Sequence, residues 1–217
     1  MKRRPSLGFY ERRIFPWLND RLTRAPEVER LRAEALVPAH GRVLEIGFGS
    51  GSNLPHYPAA VASIAALDPN DGMHDLAAPR LASSRVPVWP VIGAAEQLPF
   101  TTGAFDTVVS TLTLCSVKDP ERVLAELRRV LRPEGLLILA EHGLADDPGV
   151  AKWQQRLNGL QNVLACGCNL NRPIADLVAG GGFEWKQLRR FYVPGVPRVL
   201  GWFTLGVGKV RSSKFEL

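Results

Sequence analysis

The sequence predicts an α/β domain built on a parallel sheet, and three observations predict it. Short apolar runs alternate with stretches of helical periodicity from residue 42 to 142. The run Val43-Leu44-Glu45-Ile46 opens into Gly47-Phe48-Gly49-Ser50-Gly51, with glycine at every second position. A second apolar run, Val61 to Leu67, ends in Asp68. Strand, crossover and strand repeated in this way demand parallel pairing with right-handed connections. Glycines directly after a buried strand place backbone where a ligand can lie against it.

Size and composition agree with one such domain. The chain has 217 residues, 46% of them hydrophobic, within the roughly 250 residues that a single α/β domain reaches. No apolar run approaches the ~18 residues of a membrane-spanning helix. The N-terminus is basic but lacks the apolar stretch of a signal peptide. Three cysteines, Cys115, Cys166 and Cys168, are too few for a disulfide framework, so a reducing, cytoplasmic setting is expected. Cys166-x-Cys168 lacks a second ligand pair, and His40, His56 and His74 are scattered, so no metal is expected. The net charge of +6 gathers at the ends: residues 1–24 carry +5 and residues 186–217 carry +6, which leaves −5 on the remainder. Basic termini around a mildly acidic centre suit weak peripheral contact with an anionic membrane, or simply a solvated face. They do not suit a nucleic-acid enzyme, which carries its charge around the active site.

Each element has its own local reason. Phe9, Tyr10, Ile14, Phe15, Trp17 and Leu18 fall at helical spacing among arginines, an amphipathic segment that packs on the core or covers a site, with a break or restart at Pro16. Glu27 to Leu36 reads as a helix, and Pro38 and Gly41 mark entry to the first strand. A short crossover helix follows Gly51, bounded by Pro55 and Pro58; the next helix starts near Asp71, a candidate N-cap. The third strand, Val86 to Ile92, contains Pro87 and Pro90, which only an edge strand tolerates. Phe105 to Ser110 is a fourth strand. Asp119-Pro120-Glu121 is a helix start, with an acid to cap it and proline at the first position. Arg132-Pro-Glu-Gly135 is expected to end that helix before the fifth strand, Leu136 to Ala140. Residues 147–180 are helical and interrupted at 166–173; Phe183 to Val193 and Val199 to Val210 read as a closing strand pair.

The glycine spacing narrows the ligand. It is not the G-x-G-x-x-G of dinucleotide folds, although an NAD site shares an acid like Asp68, so an NAD-dependent oxidoreductase is the alternative from another class. E-x-G-x-G-x-G over Glu45 to Gly51, with Asp68 and the phrase Ala95-Glu96-Gln-Leu-Pro-Phe100, resembles the class I S-adenosylmethionine-dependent methyltransferases. The resemblance covers residues 42–142. It implies a Rossmann-like seven-stranded, mostly parallel sheet of order 3-2-1-4-5-7-6, with strand seven antiparallel and helices on both faces. That order puts strand three at an edge, as its prolines require. Residues 1–40 would then be an N-terminal helical cap, 41–142 the cofactor-binding core, and 143–217 the substrate-side helices and closing strands.

The same resemblance implies a site. S-adenosylmethionine would meet Glu45, Gly47, Gly49 and Gly51 at its methionine moiety and Asp68 at its ribose. Pro69 and Asn70 would lie close by, Ala95 and Glu96 on the adenine side, and Thr111 and Leu112 beside the sulfonium. A narrower likeness, in Ser110-Thr-Leu-Thr-Leu-Cys-Ser-Val-Lys-Asp-Pro120, Leu67-Asp-Pro-Asn70 and Gly167-Cys-Asn-Leu-Asn-Arg172, is to the methyltransferase-like thiol S-methyltransferases. The animal members open with a hydrophobic anchoring segment, where this chain opens Met-Lys-Arg-Arg-Pro. Thr111-Leu-Thr-Leu-Cys115 offers no stacking aromatic for a nucleobase, so a small apolar acceptor is expected. An O-, N- or C-methyl acceptor of lipid, phospholipid or quinone type is the alternative. His142, at the end of the fifth strand, is the candidate acid/base group. Tyr10, Cys115, Asn169 and Arg172 are candidate substrate-side residues.

Overall fold

The computed structural model describes residues 8–211 of the chain. One seven-stranded sheet carries the fold, in the order β3-β2-β1-β4-β5-β7-β6. Its strands are β1 Gly41–Ile46, β2 Val61–Asp68, β3 Val88–Ile92, β4 Phe105–Thr111, β5 Leu131–His142, β6 Phe183–Tyr192 and β7 Trp202–Val210. The first five pair in parallel, and β7 runs antiparallel to both β5 and β6. Consecutive β6 and β7 pair antiparallel, so a loop alone connects them.

Alternation along the central strands feeds two apolar layers. Leu44, Ile46, Val108, Leu137 and Leu139 face one side, with Val123, Leu127 and Val130 of α4 (Pro120–Val130). Val43, Ile64, Val109 and Ile138 face the other, with Leu31, Ala35 and Leu36 of α2 (Pro26–Leu36). Both predicted helices thus bury the stripe that their spacing set out. The Asp119 carboxylate caps α4 by accepting from Arg122 N–H. β3 lies at the edge of the sheet, where its Pro90 removes no interior hydrogen bond.

Several expectations need correction. The crossover after Gly51 is only a 3₁₀ turn, Leu54–His56, too short for an α-helix between two prolines. Helix α3 (Asp71–Ala82) is capped by Asn70, whose side chain accepts from Gly72 N–H; Asp71 is its first residue. β3 begins at Val88, after Pro87. Arg132 to Gly135 do not precede β5 but lie within it, as a bulge: Phe105 pairs with Leu131 while Thr107 pairs with Leu136. The closing strands are shorter than expected, because Val193 to Gly201 form the turn between them.

The N-terminal segment is a π-helical turn, Tyr10–Ile14, running into α1 (Phe15–Leu22) with Pro16 in its first turn. It packs on α3 and over the glycine turn. Asp20 accepts from Ser50 and pairs with Arg80, Asn70 donates to the Glu11 carbonyl, and Arg12 pairs with Asp71. Helices α5 (Pro148–Leu164) and α6 (Ile174–Gly180) complete the molecule. Gln154 pins α5 by donating to the carbonyls of Gly143 and Val199 and accepting from Ala145 N–H.

Candidate cofactor and acceptor site

The carboxyl ends of the parallel strands bring most predicted residues to one edge, where open α/β sheets hold ligands. Gly47, Gly49 and Gly51 all have left-handed φ, at 63°, 58° and 79°. A Cβ on Gly47 would collide with the Thr113 side chain, so the turn after β1 lies tight against the segment after β4. Asp68 ties β2 to this turn: Oδ2 accepts from Gly49 N–H and Oδ1 from Asn70 N–H, each at 2.8 Å. Burial pushes its carboxyl up, and those two backbone donors pull it part of the way back. Each oxygen still has a lone pair to offer. A cradle of left-handed glycines beside a carboxylate with acceptor capacity fits the ribose and methionine ends of S-adenosylmethionine.

Glu45 points into the protein. Oε1 accepts from Asn53 Nδ2 at 2.9 Å and Oε2 from Tyr57 OH at 2.7 Å, and the residue is 1% exposed. Arg32 of α2, absent from the sequence-based candidates, completes this network. It is buried and donates to Asn53 Oδ1 at 2.8 Å and to Thr111 Oγ1 at 3.2 Å. Burial drives the Glu45 carboxyl up to about 7, against the hydrogen bond from Tyr57, the charge of Arg32 and the hydrogen bond from Asn53. Beyond Thr111, Leu112 has a φ of 54°, a conformation that side chains rarely adopt. Its N–H donates to the Ala140 carbonyl, which holds the strained residue at the strand end.

Ala95 is buried next to the β3 end, but the Glu96 side chain turns away to accept from the N–H groups of Lys118 and Asp119.

Glu141 is the other residue missing from the sequence-based candidates. Fully buried, it accepts through Oε1 from Ser110 OH, Thr113 N–H and Leu114 N–H, and through Oε2 from Cys115 N–H. One carboxylate thus shapes the whole loop after β4. The acid-histidine pair at the end of β5 was the available signal, and alternation along the strand sends its two side chains to opposite faces.

His142 Nε2 lies 2.8 Å from Cys168 Sγ, and Cys168 Sγ lies 4.0 Å from Cys115 Sγ. Burial acts to lower the His142 pKa, but the hydrogen bond and charge of Cys168, with Glu141, outweigh it and hold it above the usual value. Asn169 donates to the carbonyls of Cys115 and Gly167, and Arg172 to those of Leu114 and Val117, so both brace the loop after β4. Tyr10 donates to the Leu164 carbonyl and joins the N-terminal segment to the end of α5.

A family described as "Methyltransferase domain" matches residues 44–139. The human thiol S-methyltransferases TMT1A and TMT1B are 34% and 33% identical over 156 and 180 residues, covering 70% and 80% of this chain and 64% and 71% of those proteins. The phosphatidylethanolamine N-methyltransferase of Cereibacter sphaeroides is 35% identical over 143 residues, 64% of this chain and 69% of that protein. Among solved structures, a SAM-dependent methyltransferase of Thermotoga maritima superposes with a TM-score of 0.68 over 93% of this chain and 98% of that one, at 23% identity, which speaks to the fold.

Proposed function

Because the chain belongs to the S-adenosylmethionine-dependent methyltransferases, we propose that it methylates a small, apolar thiol. The observation that carries it is the loop after β4, Leu112 to Cys115, which offers no aromatic or amide side chain to hold a nucleobase and ends at a cysteine close to Cys168 and His142. Human relatives named for thiol S-methylation support the same reading. The donor supplies a methyl group already activated on sulfonium. What remains for the chain is alignment and exclusion of water, which together can supply much of a displacement's acceleration. Gly47, Gly49, Gly51 and Asp68 hold the donor, and Leu112 fixes the wall that faces the acceptor. A thiol ionises readily enough to need little from a base.

A lipid headgroup as acceptor is the second reading, favoured by one surface. Trp153, Leu157, Leu160 and Leu164 stand exposed at 54%, 38%, 61% and 54%, forming a stripe along α5. Arg156 lies over Trp153, and Lys152 flanks it. No helix among the described residues is long and apolar enough to cross a membrane; a stripe of this kind on α5 would lie in the interface. The ends of the two basic terminal segments, residues 1–7 and 212–217, lie outside the described residues.

Transfer of a radiolabelled methyl group to a panel of thiols, phenols, quinols and phosphatidylethanolamine tests both readings. Product from thiols alone supports the first, and product from phosphatidylethanolamine alone replaces it with the second. Asp68→Ala should abolish labelling through loss of donor binding; full activity would mean the cradle is misplaced.

A further inference from the structure

Cys115, His142 and Cys168 come from three separate stretches: the loop after β4, the last residue of β5, and the turn between α5 and α6. Their donor atoms nevertheless all lie within 4.8 Å of one another. All three residues are buried, at 1%, 9% and 8% exposure. Two thiols and an imidazole are the donor set of a Cys₂His zinc site. A tetrahedral cation with metal–sulfur bonds of about 2.3 Å holds two sulfurs about 3.8 Å apart, and here they are 4.0 Å apart. A disulfide would need about 2.05 Å.

Polar side chains reach both sulfurs. Gln161 Nε2 donates to Cys168 Sγ at 3.7 Å, and Ser116 Oγ lies 3.4 Å from Cys115 Sγ, as outer groups support ligands in metal sites. His142 Nδ1 is a buried polar atom without a partner among the described residues. The protein alone therefore leaves this ring under-committed.

We propose that Cys115, His142 and Cys168 bind one thiophilic divalent cation of the zinc class, leaving its fourth coordination position to the acceptor sulfur. As each metal–sulfur bond forms, that cysteine's proton passes to solvent, and the two thiolates balance the two positive charges. No electron is transferred. An acceptor thiol in the fourth position loses its proton in the same way and presents a nucleophilic sulfur beside Leu112. Only that last clause rests on the thiol reading; the cation site stands without it.

Reduced protein loaded with zinc or cobalt(II) and then desalted tests the proposal. Elemental analysis should find one cation per chain. The cobalt form should show sulfur-to-metal charge transfer and the visible bands of a tetrahedral site. Native thiol titration of the zinc form should find Cys166 alone reactive. Cys115→Ser and Cys168→Ser should weaken retention at least about ten-fold, while Cys166→Ser leaves it unchanged; S-adenosylmethionine binding by titration calorimetry confirms that each variant is folded. Unretained metal with all three thiols reactive, a Cys115–Cys168 disulfide under these conditions, or equal retention by Cys168→Ser overturns the site. Adding a small alkyl thiol should shift the cobalt bands, and retained metal without a shift overturns the open fourth position. Failure of the thiol reading appears separately, as absent labelling of every thiol in the transfer assay.

Discussion

At the scale of single residues, Glu45 makes the sharpest prediction. Its carboxyl is pushed from 4.5 up to about 7, chiefly by burial. The folded protein therefore holds this proton more tightly than the unfolded chain does. Stability contributed by the protonated form is complete below pH 4.5 and is lost as pH rises through about 7. The loss should be about 3 kcal/mol. Glu45→Gln keeps the neutral shape and should flatten this part of the curve, as read by urea unfolding between pH 4.5 and 7.5; an unchanged slope would remove Glu45 as its source. The acid was legible because it ends an apolar run directly before the glycines. Its partner Arg32 was missed although it stands at i+4 from Val28 on the apolar stripe of α2, because an arginine there reads as a surface residue until α2 is folded over β1. The cysteine–histidine cluster was hidden for the same reason. His142 and Cys168 are 26 positions apart and Cys115 and Cys168 are 53 apart, separations that no local ligand pattern covers.

Elements were read well where local chemistry decided them and poorly where tertiary pairing did. Asp119-Pro120 starts α4 because cap and proline act within one turn, and β3 sits at the edge because its prolines fit only there. The bulge inside β5 could not be read, since Arg132-Pro-Glu-Gly135 has the composition of a helix stop and only pairing with β4 draws it into the strand. Between elements, Glu141 is the device that matters most. It fastens the end of β5 to four donors, three of them backbone N–H groups after β4. Glu141→Gln removes the charge and replaces one acceptor oxygen with an NH₂ group that faces those donors. The expected cost is about 2–3 kcal/mol of stability, with a larger proportional fall in kcat than in donor affinity, because the loop it shapes lies on the acceptor side. Chemical denaturation and single-turnover transfer would measure the two effects; a variant with normal kcat would limit Glu141 to stability. The N-terminal cap acts on the opposite side. Asp20 binds both Ser50 in the glycine turn and Arg80 on α3, so Asp20→Ala should release the cap and speed dissociation of S-adenosylmethionine in stopped-flow chase experiments. An unchanged off-rate would mean that the cap does not cover the donor.

At the scale of the whole molecule, Tyr10 links the N-terminal segment, which packs over the glycine turn, to Leu164 at the end of the exposed α5 stripe. Phe9 and Trp17 on the N-terminal segment are also exposed, at 75% and 59%. Exposed apolar side chains on segments that also carry Lys152, Arg156, Arg13 and Arg21 have the composition of a face that settles into an anionic interface. Each fully inserted large side chain would contribute roughly 1.5–3 kcal/mol, and the basic rim would add a term that salt screens. The two contributions separate experimentally. Binding to vesicles containing anionic lipid should weaken in high salt without vanishing, and Trp153→Asp with Leu160→Asp should abolish the salt-resistant part. Both side chains are exposed and neither belongs to the donor cradle, so methylation of a water-soluble thiol should be unaffected in that double variant. Methylation of an acceptor dissolved in the bilayer should fall with vesicle binding. Equal vesicle sedimentation by the wild type and the double variant would show that the stripe does not make the contact, and would leave the basic ends to account for any salt-sensitive binding.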